Sequence, residues 1–267
     1  MGHATRSGLL ALGLLALTLP VFAGEPYEPV PLAPAETVTP PEALIAAATA
    51  LFRAAEAGDG DALAGLIAEA PLLIDGALEL AIPRRAERIG PFDGIDARLA
   101  ALADNIGGSY ERPFDGSDTT PYAVRAELEF IMGALSDDND WGRDPLLAGA
   151  ICSYGYRTFP VAAVAALAGR LGIQSSGFFF VSAPADLRAA PAADREVIGA
   201  LLPDRLYALN YDAPARSPWI GVHLPGGGTG FISFDETPLE KPYASGICFE
   251  EGPEGQWRMT AQTATNL

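Results

Sequence analysis

Few side chains in this chain are equipped for chemistry. Cys152 and Cys248 are its only cysteines, and His3 and His223 its only histidines. A thiolate nucleophile needs an imidazole within hydrogen-bond reach and a pKa lowered by a helix N-terminus or a nearby cation. Cys152 and His223 could make such a pair only if two distant segments met. His223 instead falls in the strand-like run Trp219–Leu224, on the side of Trp219 by period-two alternation, where a structural role is favoured. With His223 the one histidine expected in the mature chain, and placed on this strand-like run, a serine triad or a histidine-rich zinc site is comparably disfavoured. Asp137, Asp138, Asn139, Asp140 and Asp144 gather oxygens of the kind calcium takes. The calcium-loop spacing fails, however: Trp141 stands where a ligand should precede Gly142, and no Glu closes the loop. The glycines from Gly226 to Gly230 suggest a phosphate cradle, but such a loop opens a helix, whereas the strand-like Phe231–Phe234 follows here. A hairpin turn is the better reading. With 34 acidic residues, pairs of carboxylates at glycosidase spacing arise by chance, so none is singled out. The remaining candidates are aromatic: Tyr207, Tyr211, Trp219 and Phe231. Such rings line a groove for an extended peptide or glycan, or else fill the core. Tyr211, beside Asp212-Ala213-Pro214, is the member expected at the surface. No cofactor and no metal is implied by any of these patterns.

The elements that position these residues fall into two halves. Residues 24–40 carry five prolines and little periodicity, and read as an extended tether. A helix then starts at Pro41, with Leu44, Ala48, Leu51 and Ala55 on one face and Gly58 to end it. Asp61 to Ala70 reads as a second helix, stopped by Pro71. Asp93 caps a third, bearing Ile95, Leu99, Leu102 and Ile106 before Gly107-Gly108. Thr120-Pro121 starts a fourth with Val124, Leu128, Ile131 and Leu135, and Val161 to Leu171 is a fifth, ended by Gly172. Residues 41–176 are therefore expected to form an all-α domain. From Gly177 the character changes to short aromatic and β-branched runs broken by Pro and Gly, over 177–240. A final hairpin is expected over 241–267, with strands Gly246–Glu250 and Gln256–Thr263 around Gly252-Pro253-Glu254-Gly255. The fold class is thus α+β, a helical domain followed by a segment of short β-strands and a C-terminal hairpin.

The segment over 177–240 resembles a known family. Asp186-Leu187-Arg188-Ala189-Ala190-Pro191 stands where bacterial Src-homology-3-like (SH3-like) domains have N-V-R-S-x-P. Glu196–Leu201 is similar to the following V-I-G-x-L strand, and Leu206–Leu209 to the next. Trp219–Gly226 with Thr229-Gly230-Phe231-Ile232 resembles W-x-x-V-x-x-x-G-x-x-G-W-V. Phe231 replaces the usual second Trp and Asp186 the usual Asn. The resemblance implies a small barrel that binds cell-wall peptides or protein partners. In the helical half, Phe52–Asp59 is similar to the first helix of nuclear-transport-factor-2-like cone folds. That fold needs a long curved sheet, which the sequence does not display, so the helical reading is retained.

Residues 1–23 have the anatomy of a cleavable secretory signal: Arg6, an apolar run from Leu9 to Leu19, and Val21-Phe22-Ala23 before Gly24. Cleavage would leave His223 as the sole histidine and 16 basic against 34 acidic residues, a net charge of −18. No later run reaches the roughly 18 apolar residues of a membrane span. The expected address is periplasmic or extracellular. There an oxidising environment permits a Cys152–Cys248 bridge, closing a loop of about a hundred residues and worth about 2–4 kcal/mol; two separately buried thiols are the alternative. The formal charge of −17 over the whole chain excludes a nucleic-acid backbone as partner, and an acidic surface favours basic proteins or neutral glycans. The expected function is that of a non-enzymatic binding or scaffolding protein of the cell envelope, its ligand a cell-wall peptide or glycan or another envelope protein. The competing expectation is a cell-wall hydrolase using carboxylates or Cys152.

Overall fold

A computed structural model describes residues 25–77, 82–105, 117–136, 139–155 and 158–266. The expected secretory signal over 1–23 lies outside the described residues, as do Ile106-Gly107-Gly108 and Asp137-Asp138. Strands β1 (Val30–Pro31) and β2 (Glu36–Thr37) precede α1 (Glu42–Ala57) and α2 (Gly60–Leu66). There follow β3 (Ile67–Ala77), β4 (Ile82–Arg88), α3 (Ile95–Asn105), α4 (Thr120–Ala134), β5 (Asp140–Arg143) and β6 (Ile151–Tyr154). After α5 (Val161–Leu171) come β7 (Phe178–Phe179), β8 (Ala185–Arg188), β9 (Val197–Leu201), β10 (Arg205–Ala208), β11 (Trp219–His223) and β12 (Thr229–Ser233). Last are β13 (Gly246–Glu251) and β14 (Trp257–Asn266).

The helices form where the periodicity puts them, for identifiable reasons. In α1, Glu42 complements the positive end of the helix dipole, and Leu44, Ala48, Leu51 and Ala55 make a buried stripe. Gly58 then ends the helix with φ 63°, its N–H reaching the carbonyls of Ala54 and Ala55. The Asp59 carboxylate caps α2 by accepting from the N–H of Ala62 at 3.1 Å.

The all-α domain expected over 41–176 does not form, and the fold is mixed α/β. The first four helices pack on one face of a seven-stranded sheet in the order β2-β5-β6-β13-β14-β3-β4. All neighbours are antiparallel except β3 and β14, which run parallel. Leu44, Leu51, Leu63, Leu99, Leu102 and Ile131 from the helices meet Ile67, Ile151, Ile247, Phe249 and Met259 from the sheet. The physical reason is tertiary. Residues 67–70, read as helix by propensity, extend beyond Leu66 because β14 offers them a ladder, from Met259↔Ile67 to Asn266↔Ala77. The two ends of that ladder lie about 190 residues apart, so no local pattern announces it. The expected C-terminal hairpin does pair, but it is no appendage: β13 and β14 are central strands, inserted between β6 and β3. A long sheet, the missing feature that told against the cone fold, is therefore present.

The segment between β6 and β13 builds the second part of the molecule. A four-stranded antiparallel sheet, β11-β12-β8-β9, and a three-stranded one, β1-β10-β7, are bridged at Leu209↔Val222. Its cores are Phe179, Leu187, Leu201, Tyr207, Val222 and Ile232 on one side, and Phe159, Val164, Phe178 and Leu206 under α5 on the other. The proline-rich stretch is extended but firmly docked: Tyr27, Val30 and Leu32 are buried in the second of these cores, and the Tyr27 hydroxyl donates to the carbonyl of His223 at 3.0 Å.

Candidate functional site

The four aromatic candidates come from adjoining segments of this second part, yet they have different surroundings. Tyr207 is buried against Phe179, ring centroids 6.1 Å apart, and its hydroxyl accepts from the N–H of Leu202 at 2.7 Å. It thereby fastens the end of β9, and burial raises its pKa. Trp219 and His223 alternate onto the face of β11 opposite Ile220 and Val222, which join the core around Phe179, Leu187 and Tyr207. Phe231, paired with Gly221, shares that face with Trp219 and is itself buried. Trp219 is half-buried.

Tyr211 alone among the four is open, with 65% of its surface exposed. The loop carrying it is tightly held. The Asn210 carboxamide accepts from the N–H of Asp212 at 3.1 Å and donates to Thr229 Oγ1 at 2.8 Å. The Asn210 N–H donates to the carbonyl of Gly221 at 2.9 Å. Gly221 is required by this approach: a β-carbon there would stand 2.3 Å from Ala213 Cβ and 2.8 Å from the Asn210 carbonyl oxygen. The loop thus lies over the face that carries Trp219, Phe231 and His223. A β-carbon at Gly177 would touch Tyr211 Cε2 at 3.4 Å, so the ring rests on Gly177. Burial lowers the pKa of His223, with Asp212 acting in the opposite direction. The loop and strand present an exposed aromatic ring, a half-buried indole and a carboxylate, groups of a kind that hold flat or extended ligands.

The other motifs resolve simply. Cys152 and Cys248 are directly opposed across β6 and β13 and form a disulfide, S–S 2.04 Å, so the Cys152 sulfur is no nucleophile. Of the acidic loop, Asp140 opens β5, Asn139 Nδ2 donates to Ser153 Oγ, and Asp144 pairs with Arg84. These groups are committed to different partners. The glycine run is a turn, with Leu224 N–H donating to the Gly228 carbonyl at 3.0 Å between β11 and β12.

Two polar centres escaped the sequence reading. Glu127 on α4 is fully buried, both carboxylate oxygens facing Gln262 Nε2 at 3.1 and 3.2 Å. The Arg84–Asp144 pair lies on the opposite face of the large sheet. Glu127 follows Val124 and precedes Ile131 on the apolar stripe of α4, and a charged residue within such a stripe was the available signal. Nothing in the sequence linked Arg84 to Asp144. No helix among the described residues is long and apolar enough to cross a membrane. Compared with family models, curated proteins and solved structures, the chain matches none.

Proposed function

We propose that this protein is an exported, non-enzymatic binding or scaffolding protein of the cell envelope, which uses an SH3-like module to hold a cell-wall peptide or glycan or another envelope protein. The observation that carries the reading is Tyr211, an aromatic ring 65% exposed on a loop pinned by side-chain and backbone hydrogen bonds. An exposed ring held still offers contact area at little entropic cost on binding. Trp219, half-buried on β11, is the second aromatic group of this reading. The family segments from Asp186 to Ile232 and the small antiparallel sheets support the module assignment. The acidic surface favours a neutral or basic ligand. Of the hydrolase alternative, the Cys152 form has lost its thiol to the disulfide.

The test is a pull-down of residues 24–267 with purified peptidoglycan at low and high salt. The expected result is retention at both, reduced at least tenfold in a Tyr211→Ala, Trp219→Ala double variant whose far-UV circular dichroism is unchanged. Absence of retention at either salt removes the wall as a direct ligand.

A further inference from the structure

On the face of the large sheet away from α1–α4, a pocket of about 300 Å³ lies between β4, β6, the segment after β5 and the start of α5. Its walls are mostly apolar: Pro34, Pro145, Leu146, Phe159, Val161 and Ala165. Polar groups line it as well. Arg84 Nη2 meets Asp144 Oδ2 at 2.5 Å, and Arg84 Nε donates to Thr265 Oγ1 at 2.9 Å. Asp144 Oδ1 also accepts from the N–H of Leu146 at 3.0 Å. These two charges answer each other, and Arg143, also in the lining, pairs with Glu36 at 3.1 Å.

Two hydroxyls in the lining are different. Tyr154 is 5% exposed and Thr158 1%, and both line the pocket. A hydroxyl set in an otherwise apolar lining gives an entering molecule a point at which to fix its orientation. Each can donate and accept. Burial raises the Tyr154 pKa, with Asp144 adding to the effect and Arg84 opposing it, so the phenol stays neutral.

We propose that this pocket binds a small uncharged molecule with an apolar body and one hydrogen-bonding end, a hydroxyl, carbonyl or amide that Tyr154 and Thr158 receive. The volume is at the small end of ligand sites and suits roughly ten to twenty non-hydrogen atoms. A charged ligand would have to break the Arg84–Asp144 or the Arg143–Glu36 pair or be buried without a counter-charge, which is unfavourable. This site is independent of the aromatic surface around Tyr211 and does not rest on wall binding.

The test is titration of ¹⁵N-labelled protein with four neutral probes, indole, benzyl alcohol, cyclohexanone and benzamide, followed by amide chemical shifts. At least one probe is expected to give saturable shifts centred on Arg84, Tyr154 and Ala162. Ala162→Leu and Ala165→Phe, which fill the pocket from exposed positions of α5, should each weaken that binding at least tenfold. Tyr154→Phe should weaken it roughly threefold to tenfold, the loss of one hydrogen bond. The proposal is overturned if no probe gives saturable shifts, if the shifts centre elsewhere, or if both folded filling variants bind as the parent does.

Discussion

Glu127 stands on α4 with its carboxyl against the amide of Gln262, and Gln262 Oε1 has no partner. Burial drives the Glu127 pKa well above its ordinary value of 4.5, against the opposing pull of the Gln262 hydrogen bonds. The folded chain therefore keeps a proton that the unfolded chain releases above about pH 4.5. From there up to the folded pKa, unfolding releases that proton, so stability falls as pH rises, by up to about 1.4 kcal/mol per pH unit. Glu127→Gln removes the titrating group and nearly keeps its shape. Urea unfolding at pH 5, 6, 7 and 8 should show the variant gaining on the parent as pH rises from 5 until the folded pKa is passed, because all other carboxylates are common to both. Parallel curves would mean that Glu127 ionises in the fold as it does in solvent. The same scale shows why the aromatic site was only half legible. Tyr207 and Tyr211 are four residues apart in one segment, and composition treats them alike. One ring became core because β10 turns it toward Phe179, and the other remained in solvent because Asn210 folds the loop outward over Gly221.

Among the elements, helices proved easier to read than strands. The periods and caps of α1, α4 and α5 are local properties, and the chain obeys them within a residue or two. Strand β9 was legible through its likeness to a family motif, where propensity alone suggested a helix. By contrast, β3, β5 and β6 were hidden. Each is specified by a partner far away, and β4, Ile-Pro-Arg-Arg-Ala-Glu-Arg, is a polar edge strand with no apolar alternation to display. Where these elements meet the helices, the fit is close enough to test. A β-carbon at Gly155, just after β6, would stand 1.7 Å from the carbonyl oxygen of Gly133 near the end of α4. Both neighbours are backbone, so one element must move. Gly155→Ala should cost about 1–3 kcal/mol or more in denaturant unfolding. Gly65→Ala, in the exposed part of α2 with nothing within 4 Å, should instead stabilise by about 0.5–1 kcal/mol through helix propensity. Equal effects at the two positions would refute the close approach.

At the scale of the whole molecule, the second part is an insertion into the first. Strands β6 and β13 are neighbours, with Ser153 opposite Ile247 and Cys152 bonded to Cys248, so the chain leaves and re-enters the large sheet at one place. Every buried residue of the helix–sheet core lies in 44–151 or 247–259. The cluster on the sheet's other face, with Ile74, Leu147, Tyr154 and Ala261, likewise takes nothing from the insertion. The inserted part depends on the rest through its first strand, since β1 pairs with β10 and Tyr27, Val30 and Leu32 complete its core. This asymmetry yields a prediction. Replacing residues 156–244 by a four-residue turn joins β6 to β13 as a hairpin and leaves the main core whole. The shortened protein should keep its disulfide and unfold in one cooperative transition, at the cost of solvating residues 27–32. It should lose peptidoglycan retention, because Tyr211 and Trp219 leave with the insertion. It should also lose the small-molecule pocket, whose wall at Phe159, Val161 and Ala165 is removed with α5. Calorimetry and the pull-down together decide the matter. A shortened chain that folds yet still binds the wall would move the binding surface to the helix–sheet part, whereas one that fails to fold would show that the two parts depend on each other equally.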